Sequence, residues 1–172
     1  MTRLGNAMAA SFGGGAIIAS AKPDSTVLDL ADAVLEPGDS DAFERFARIV
    51  AELGPATLCD PYFKASSISW VLRSTQINRV LLTKSGARRE RVPIAARLAG
   101  GDADGKLEVR VTDADDAHDR ALVAASGDVW LLGTSLNGVG RHLSALVRPD
   151  PECWPIYRSR IEGWWKHVMT FP

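Results

Sequence analysis

Residues 118–137 read HDRALVAASGDVWLLGTSLN, and this stretch decides how the rest of the chain is interpreted. Two segments within it, 119–124 and 129–132, each have the length and the largely apolar composition of a β-strand. The Ser-Gly-Asp sequence at 126–128 separates them and is typical of a hairpin turn. The stretch therefore predicts two antiparallel strands, with His118 just before the first and a glycine-containing turn after the second.

Upstream of this hairpin, strand and helix patterns alternate. The clearest helix is predicted over residues 39–53, where apolar residues recur every three to four positions and Gly54-Pro55 ends the pattern. The other predicted helices are 65–74, 88–99 and 151–169, and the other predicted strands are 56–59, 77–83, 107–111 and 143–147. Alternation followed by a hairpin predicts an α/β fold, a mixed β-sheet flanked by helices.

The chain is predicted to contain a weakly patterned N-terminal segment and one domain. A length of 172 residues suits a single core. Residues 1–38 are rich in Ala and Gly, with a candidate strand at 14–19 and a strand or a helical turn at 27–30. A Pro-Gly-Asp break at 37–39 precedes the domain at 39–172. The weak pattern of the first segment also raises the alternative that this chain is part of a larger protein or assembly.

Composition excludes several classes of protein. The 20 basic and 21 acidic residues give a net charge of −1, whereas a dedicated clamp for duplex DNA is usually strongly basic. The two cysteines do not form a disulfide framework, which favours reduced thiols and a cytoplasmic location. No run of about 18 apolar residues exists, so no transmembrane helix is expected.

A histidine and an arginine share one face of the first hairpin strand. Residues i and i+2 of a strand point the same way, so His118 and Arg120 lie side by side while Asp119 points to the other face. An imidazole can attack phosphorus or transfer a proton, and a guanidinium holds two phosphate oxygens through forked hydrogen bonds. The pair therefore suits a phosphate ligand, the alternative being that His118 is simply a solvated residue.

Hydrogen-bond donors follow the second hairpin strand. Thr134, Ser135 and Asn137 reach the same end of the sheet and could bind further phosphate oxygens. In a turn that contains Gly133, the same residues could also be ordinary turn residues. Both interpretations stay open at this stage.

Other strand ends contribute candidate ligand-binding residues. Asp60 follows the strand at 56–59, and it is either a cleft residue or an Asx-turn residue. Tyr62 and Phe63 are assigned to the core, with the lining of a cleft as the alternative. A basic group follows the strand at 77–83 and is either a solvated helix face or a contact to phosphates; it comprises Lys84, Arg88, Arg89, Arg91 and Arg97.

Taken together, these motifs resemble the phospholipase D superfamily. The family signature reads H-x-K-x4-D, followed by a glycine-containing G-S/G-x-x-N-like segment, and here it corresponds to His118-Asp119-Arg120 and residues 133–137. The tail GTSLNGVGR at 133–141, together with Asp60-Pro61-Tyr62-Phe63 and the strand end at 81–85, looks like a bacterial subset of that family. The resemblance covers about residues 50–150.

The resemblance implies a phospholipase-D-like fold and a metal-independent phosphodiesterase, with no cofactor. Its substrate would be a phosphodiester, with nucleic acid favoured over lipid as in a nuclease-like effector. His118 would form a phosphohistidine or act as the acid, Arg120 would bind the phosphate, and Ser135 and Asn137 would support it. Asp60, Lys84 and Thr134 are further substrate-binding candidates. Because the family site uses two motifs, a homodimer would have to supply two copies of His118.

The sequence departs from the family pattern at two positions. The family lysine is Arg120 here, and the family aspartate is replaced by Ala125. Some phospholipase-D-like domains with a His-Asp-Arg motif, such as the C-terminal domains of certain MIT-domain proteins, serve for membrane binding or oligomerisation. The alternative function is therefore a catalytically silent module for dimerisation or for binding phosphate-bearing partners.

Overall fold

The predicted hairpin lies near the middle of an eight-stranded sheet in the computed structural model, which describes residues 32–100, 105–114, 117–167 and 169–170. The strands are β1 (Asp32–Leu35), β2 (Ala56–Cys59), β3 (Ile77–Thr83), β4 (Glu108–Thr112), β5 (Arg120–Ala124), β6 (Val129–Leu132), β7 (Ser144–Val147) and β8 (Met169–Thr170). The helices are α1 (Ser40–Glu52), α2 (Ile68–Ser74), α3 (Lys84–Ala99) and α4 (Trp154–Lys166). Short 3₁₀ turns lie at Ala65–Ser67, Leu136–Gly138 and Pro151–Cys153.

The sheet is mixed, with the order β1-β7-β6-β5-β2-β3-β4-β8. Strands β2, β3 and β4 run parallel to one another, and all other neighbouring strands are antiparallel. The carboxyl ends of β2, β3 and β4 therefore lie at the same edge as the start of β5 and the end of β6. We refer to this edge, with the loops that leave it, as the functional edge.

Helices cover both faces of the sheet. The larger core lies on the side of α1, α2 and α3, where Phe46, Val71 and Ile94 are fully buried. A smaller cluster on the other face packs Ile161 and Trp165 of α4 against the sheet. This three-layer arrangement confirms the predicted mixed sheet flanked by helices.

Most predicted elements are present, and several helix boundaries differ from the prediction. The helices predicted from residues 65 and 151 open with 3₁₀ turns, so that α2 begins at Ile68 and α4 at Trp154. Helix α1 begins as expected, because the Asp39 side chain accepts a hydrogen bond from the backbone of Asp41. Helix α3 starts at Lys84 rather than at residue 88, because the Thr83 hydroxyl caps it by accepting from the backbone of Gly86 at 3.2 Å. Pro93 consequently lies inside the helix and not in its first turn.

The two ends of the chain contribute strands at the edges of the sheet. The helix predicted over 151–169 ends at Lys166, and Met169–Thr170 pairs with β4 as β8. At the other end, β1 comes from the segment 1–38 and pairs with β7. The strands predicted at 14–19 and 27–30 fall outside the described residues. Within the described ranges, no helix is long and apolar enough to cross a membrane.

Candidate functional site

The residues predicted to carry function converge on the functional edge. Asp60 follows β2, Lys84 follows β3, and Arg120 begins β5. Thr134, Ser135 and Asn137 follow β6 at the same edge. Ligands of open α/β sheets bind outside the carboxyl ends of parallel strands, in particular where the direction of the sheet changes. In this sheet β3 and β4 lie on one side of β2, whereas β5, β6 and β7 lie on its other side, so the strand order reverses between β2 and β5. Asp60, after the end of β2, therefore lies beside Arg120 at the start of β5.

Asp60 is the centre of the hydrogen-bond network at this edge. Its side chain is fully buried and accepts from the Tyr62 backbone at 3.0 Å, from the Ser135 hydroxyl at 2.8 Å and from the Leu136 backbone at 2.9 Å. Burial raises the pKa of this carboxyl, while these hydrogen bonds and the charge of Arg120 act against the rise. Asp60 thus joins the loop after β2 to the loop after β6.

Ser135 and Asn137 use their polar atoms within the fold. Ser135 donates to Asp60 and accepts from the Asn137 amide at 2.9 Å. The same amide donates to the Tyr62 carbonyl at 2.7 Å, and its oxygen accepts from Ser67 at 2.8 Å. The structure therefore gives both side chains a role in holding the loops around Asp60.

Thr134 precedes this pair and packs within its own turn. A β-carbon on Gly138 would overlap the Thr134 hydroxyl, so the two residues are in close contact. Thr134 is half-buried, which leaves part of its surface at the functional edge. The turn after β6 therefore depends on a residue without a side chain at position 138.

Arg120 and Asp119 point to opposite faces, as the alternation of strand side chains predicts. The Arg120 guanidinium lies 5.4 Å from the centre of the Tyr62 ring, and its buried Nε atom has no hydrogen-bond partner among the described residues. Asp119 accepts from the Tyr157 hydroxyl at 3.3 Å, on the side of α4. That side holds a separate cavity of about 300 Å³, where burial, with the charges of Asp60 and Asp119, raises the pKa of Cys59 to about 12.

His118 is exposed and lines a cavity of about 600 Å³ at the functional edge. The other lining residues are Thr83, Lys84, Ser85, Arg88, Thr112, Asp113 and Ala114. We call this space the edge cavity. Lys84 forms an exposed ion pair with Asp113 at 3.4 Å, so one carboxylate partly offsets the two cations of the cavity.

The sequence pattern pointed to Lys84 and His118 and placed Arg88 in the basic group that could contact phosphates, but Ser85 was not selected. Ser85 lies in the first turn of α3, which was missed when the start of this helix was placed at residue 88. The pattern of a threonine three positions before a glycine, directly after a strand, could have revealed the cap. A helix N-terminus also carries partial positive charge, which adds to that of the two cations.

Gly86, which follows the cavity residues Lys84 and Ser85, joins the first turn of α3 to the loop of the Asp60 network. A β-carbon on Gly86 would overlap the Pro61 carbonyl oxygen and would lie 2.7 Å from the carbonyl carbon. The first turn of α3 therefore lies directly against the loop that carries Asp60 and Tyr62. This loop places Phe63 in the core, as predicted, but leaves Tyr62 exposed, contrary to the prediction.

Comparison with solved structures shows the fold. The structure is similar to Nuc from Salmonella typhimurium, a phospholipase D family member, with a TM-score of 0.55 and 6% identity over 81% of this chain and 98% of that chain. It is also similar to TrmBL2, an archaeal chromatin protein described with a novel mode of DNA binding, with a TM-score of 0.50 and 17% identity over 86% of this chain.

The chain spans 56% of the length of the chromatin protein. No family model and no curated protein sequence matches the chain. At these levels of identity the similarity confirms the predicted phospholipase-D-like fold, and the roles of the site residues remain predictions.

Proposed function

We propose that the functional edge binds phosphodiester groups of nucleic acid, with one phosphate in the edge cavity. The observation that carries this proposal is that Lys84, Arg88 and His118 line one cavity. A phosphate there would accept hydrogen bonds from the ammonium, the guanidinium and the imidazole, the groups that bind phosphate in proteins. That two of the similar solved structures are a DNA-binding chromatin protein and a phospholipase D family member supports this proposal.

The low net charge of this chain restricts the proposed binding of nucleic acid to one small site. A net charge of −1 gives little long-range attraction to a polyanion, so the affinity has to come from a few cations at one site. The Lys84–Asp113 ion pair is exposed and easily exchanged, because pairs of this kind contribute little stability. An incoming phosphate can therefore replace the Asp113 carboxylate at Lys84.

In this proposal Asp60, Ser135 and Asn137 are positioning residues, which hold the loop after β2 and the loop after β6 in place. Their hydrogen bonds to one another support this role. Thr134 and Arg120 stand at the same edge and are the further candidates for contact with the ligand. No metal or cofactor is part of the proposal.

Removing Lys84 and Arg88 together is expected to weaken binding of a short fluorescent oligodeoxythymidylate by about tenfold at moderate salt. The dependence of log Kd on log salt should also become shallower, by about 0.7 for each lost phosphate contact. Fluorescence anisotropy titrations measure both quantities. The matched control is Arg89→Ala with Arg91→Ala, which removes two exposed cations of the same helix outside the edge cavity. Equal losses in the two double variants would contradict a phosphate site in the cavity.

The exposed imidazole of His118 favours a second candidate function, metal-independent hydrolysis of the bound phosphodiester. One imidazole would attack phosphorus and displace the alkoxide, and a second would protonate that leaving oxygen. Water would then cleave the phosphorus–nitrogen bond. Among the described residues one histidine lines the edge cavity, so the second would come from another copy of the chain in a homodimer.

Hydrolysis of bis(p-nitrophenyl) phosphate in EDTA tests this second function. Replacement of His118 by alanine is expected to lower turnover by at least about 100-fold, the effect typical of losing a nucleophile or a general acid. His142→Ala is the matched control, since His142 is exposed and lies outside the edge cavity. If the wild-type chain has no turnover at concentrations where sedimentation shows a dimer, hydrolysis is wrong and the binding function stands alone.

A further inference from the structure

Tyr62 is an aromatic ring held in solvent by a rigid backbone. Its relative exposure is 51%. The other exposed large hydrophobic side chains of the described residues are all aliphatic. Its backbone N–H donates to Asp60 at 3.0 Å, and its carbonyl accepts from Asn137 at 2.7 Å. A ring fixed in this way can stack on a flat ligand without a further loss of backbone freedom.

The position of Tyr62 links it to the edge cavity on two sides. The preceding residue, Pro61, contacts Gly86 in the same first turns of α3 that carry Lys84 and Arg88. On the other side, the Arg120 guanidinium lies 5.4 Å from the ring centre, and Arg120 is two residues from His118. The ring therefore stands at the margin of a cation-lined cavity.

An exposed ring beside a cation-lined cavity that has room for a phosphate matches the chemistry of a nucleotide, which joins a flat base to a charged phosphate. Stacking of a base on an aromatic side chain needs an accessible base face. In duplex DNA the base faces are covered by neighbouring base pairs, whereas in a single strand they can turn outward. The juxtaposition thus favours single-stranded nucleic acid over a duplex.

We infer that Tyr62 stacks on a base of single-stranded nucleic acid whose phosphate occupies the edge cavity. The inference rests on the proposed phosphate-binding function and adds the class of nucleic acid and the residue that selects it. Arg120 contributes from the side of the ring, because its guanidinium lies 5.4 Å from the ring centre and its positive charge favours a phosphate next to the stacked base. The affinity then has two parts, an electrostatic contribution from the cavity and a stacking contribution from the ring.

Titration of the full chain with three fluorescent probes separates these two parts. The probes are an oligodeoxythymidylate, an abasic oligonucleotide of the same length, and a duplex that contains the same strand. Wild type is expected to bind the oligodeoxythymidylate roughly tenfold more tightly than the abasic strand, and Tyr62→Ala should remove that advantage while leaving abasic binding unchanged. Tyr62→Phe keeps the ring and should retain binding within about twofold.

The controls distinguish the inference from the function on which it rests. Val92→Ala shortens another exposed side chain and is expected to bind all probes as wild type does. If the abasic strand binds but Tyr62→Ala has no effect on oligodeoxythymidylate, or if the duplex binds as tightly as the single strand, the stacking inference is wrong and phosphate binding survives. If neither the abasic strand nor the oligodeoxythymidylate binds, the proposed function is wrong and the inference falls with it.

Discussion

Replacing Asp60 with alanine is expected to lower the free energy of unfolding by about 4 kcal/mol, one of the largest effects of any single substitution in this protein. The reason is that the fully buried carboxylate accepts from Tyr62, Ser135 and Leu136, of which the Leu136 donor is buried and the other two are partly buried. The Ser135 hydroxyl can rotate, but the two backbone N–H groups cannot. Each buried donor without a partner costs about 1–3 kcal/mol.

Chemical denaturation followed by tryptophan fluorescence measures this loss. Asp113→Ala is the matched control, because Asp113 is an exposed carboxylate at the same edge of the sheet whose ion pair is worth about 0.5 kcal/mol or less. A loss at Asp60 no larger than that of the control would contradict the role of Asp60 as the residue that joins the two loops.

The same carboxyl also predicts a dependence of stability on pH. Burial raises the folded-state pKa of Asp60 above its ordinary value of 3.8, so between these two values the folded chain holds a proton that the unfolded chain has released. This contribution to the free energy of unfolding is present below pH 3.8 and is lost as the pH rises through the raised pKa. The Asp60→Asn variant lacks this titratable group, so its free energy of unfolding carries no such pH-dependent contribution.

The stability deficit of Asp60→Asn relative to wild type should therefore shrink as the pH rises from about 4 toward neutrality. Urea titrations of both proteins across that range measure the difference, and groups common to the two proteins cancel. A deficit that grows with pH would mean that the hydrogen bonds and the charge of Arg120 outweigh burial at this carboxyl.

Gly86→Ala is the second substitution with a large expected effect, a loss of about 3 kcal/mol in the free energy of unfolding. Alanine is the better helix former by about 1 kcal/mol, so helix propensity alone would predict a gain. The new methyl group would overlap the Pro61 carbonyl oxygen, however. Neither group can rotate away, because the oxygen belongs to the backbone and the methyl group is bonded directly to Cα. The first turn of α3 would have to move away from the loop that carries Asp60 and Tyr62.

Gly163→Ala is the internal control for this effect. Gly163 lies within α4, and a β-carbon there would meet no atom within 4 Å apart from its chain neighbours and its own helix backbone. Thermal melting should therefore show a gain of about 0.5–1 kcal/mol for Gly163→Ala and a loss for Gly86→Ala. If both substitutions stabilised the protein, the close contact between α3 and Pro61 would be refuted.

Local patterns in the sequence were enough to predict most of the elements of this fold. The stripe of apolar residues and the Asp39 cap define α1, and the Ser-Gly-Asp turn defines the hairpin of β5 and β6. These signals lie within a few residues of the structure that they specify, since side-chain alternation and capping are short-range effects. The predicted separation of Arg120 from Asp119 onto opposite faces has the same origin.

Contacts between distant segments were decided by the tertiary structure. Ser135 and Asn137 could be read as donors for a ligand, but their partners Asp60, Tyr62 and Ser67 lie about 70 or more residues away in the chain. The exposure of Tyr62 also depends on distant contacts. The position of its loop is set by the hydrogen bond from Asn137 and by the contact of Pro61 with the first turn of α3. No local periodicity carries this information.

By itself, the sequence determined most of the element types, the mixed sheet and the set of polar residues that could reach one end of it. Only the tertiary structure decided which of them line the edge cavity and which hold the loops in place. The physical reason is that a residue type sets what a side chain can bind, whereas burial and the geometry of neighbouring strands set what it does bind. Lys84, Arg88 and His118 share a cavity because β3 and β5 both flank β2 and bring their loops to the same edge.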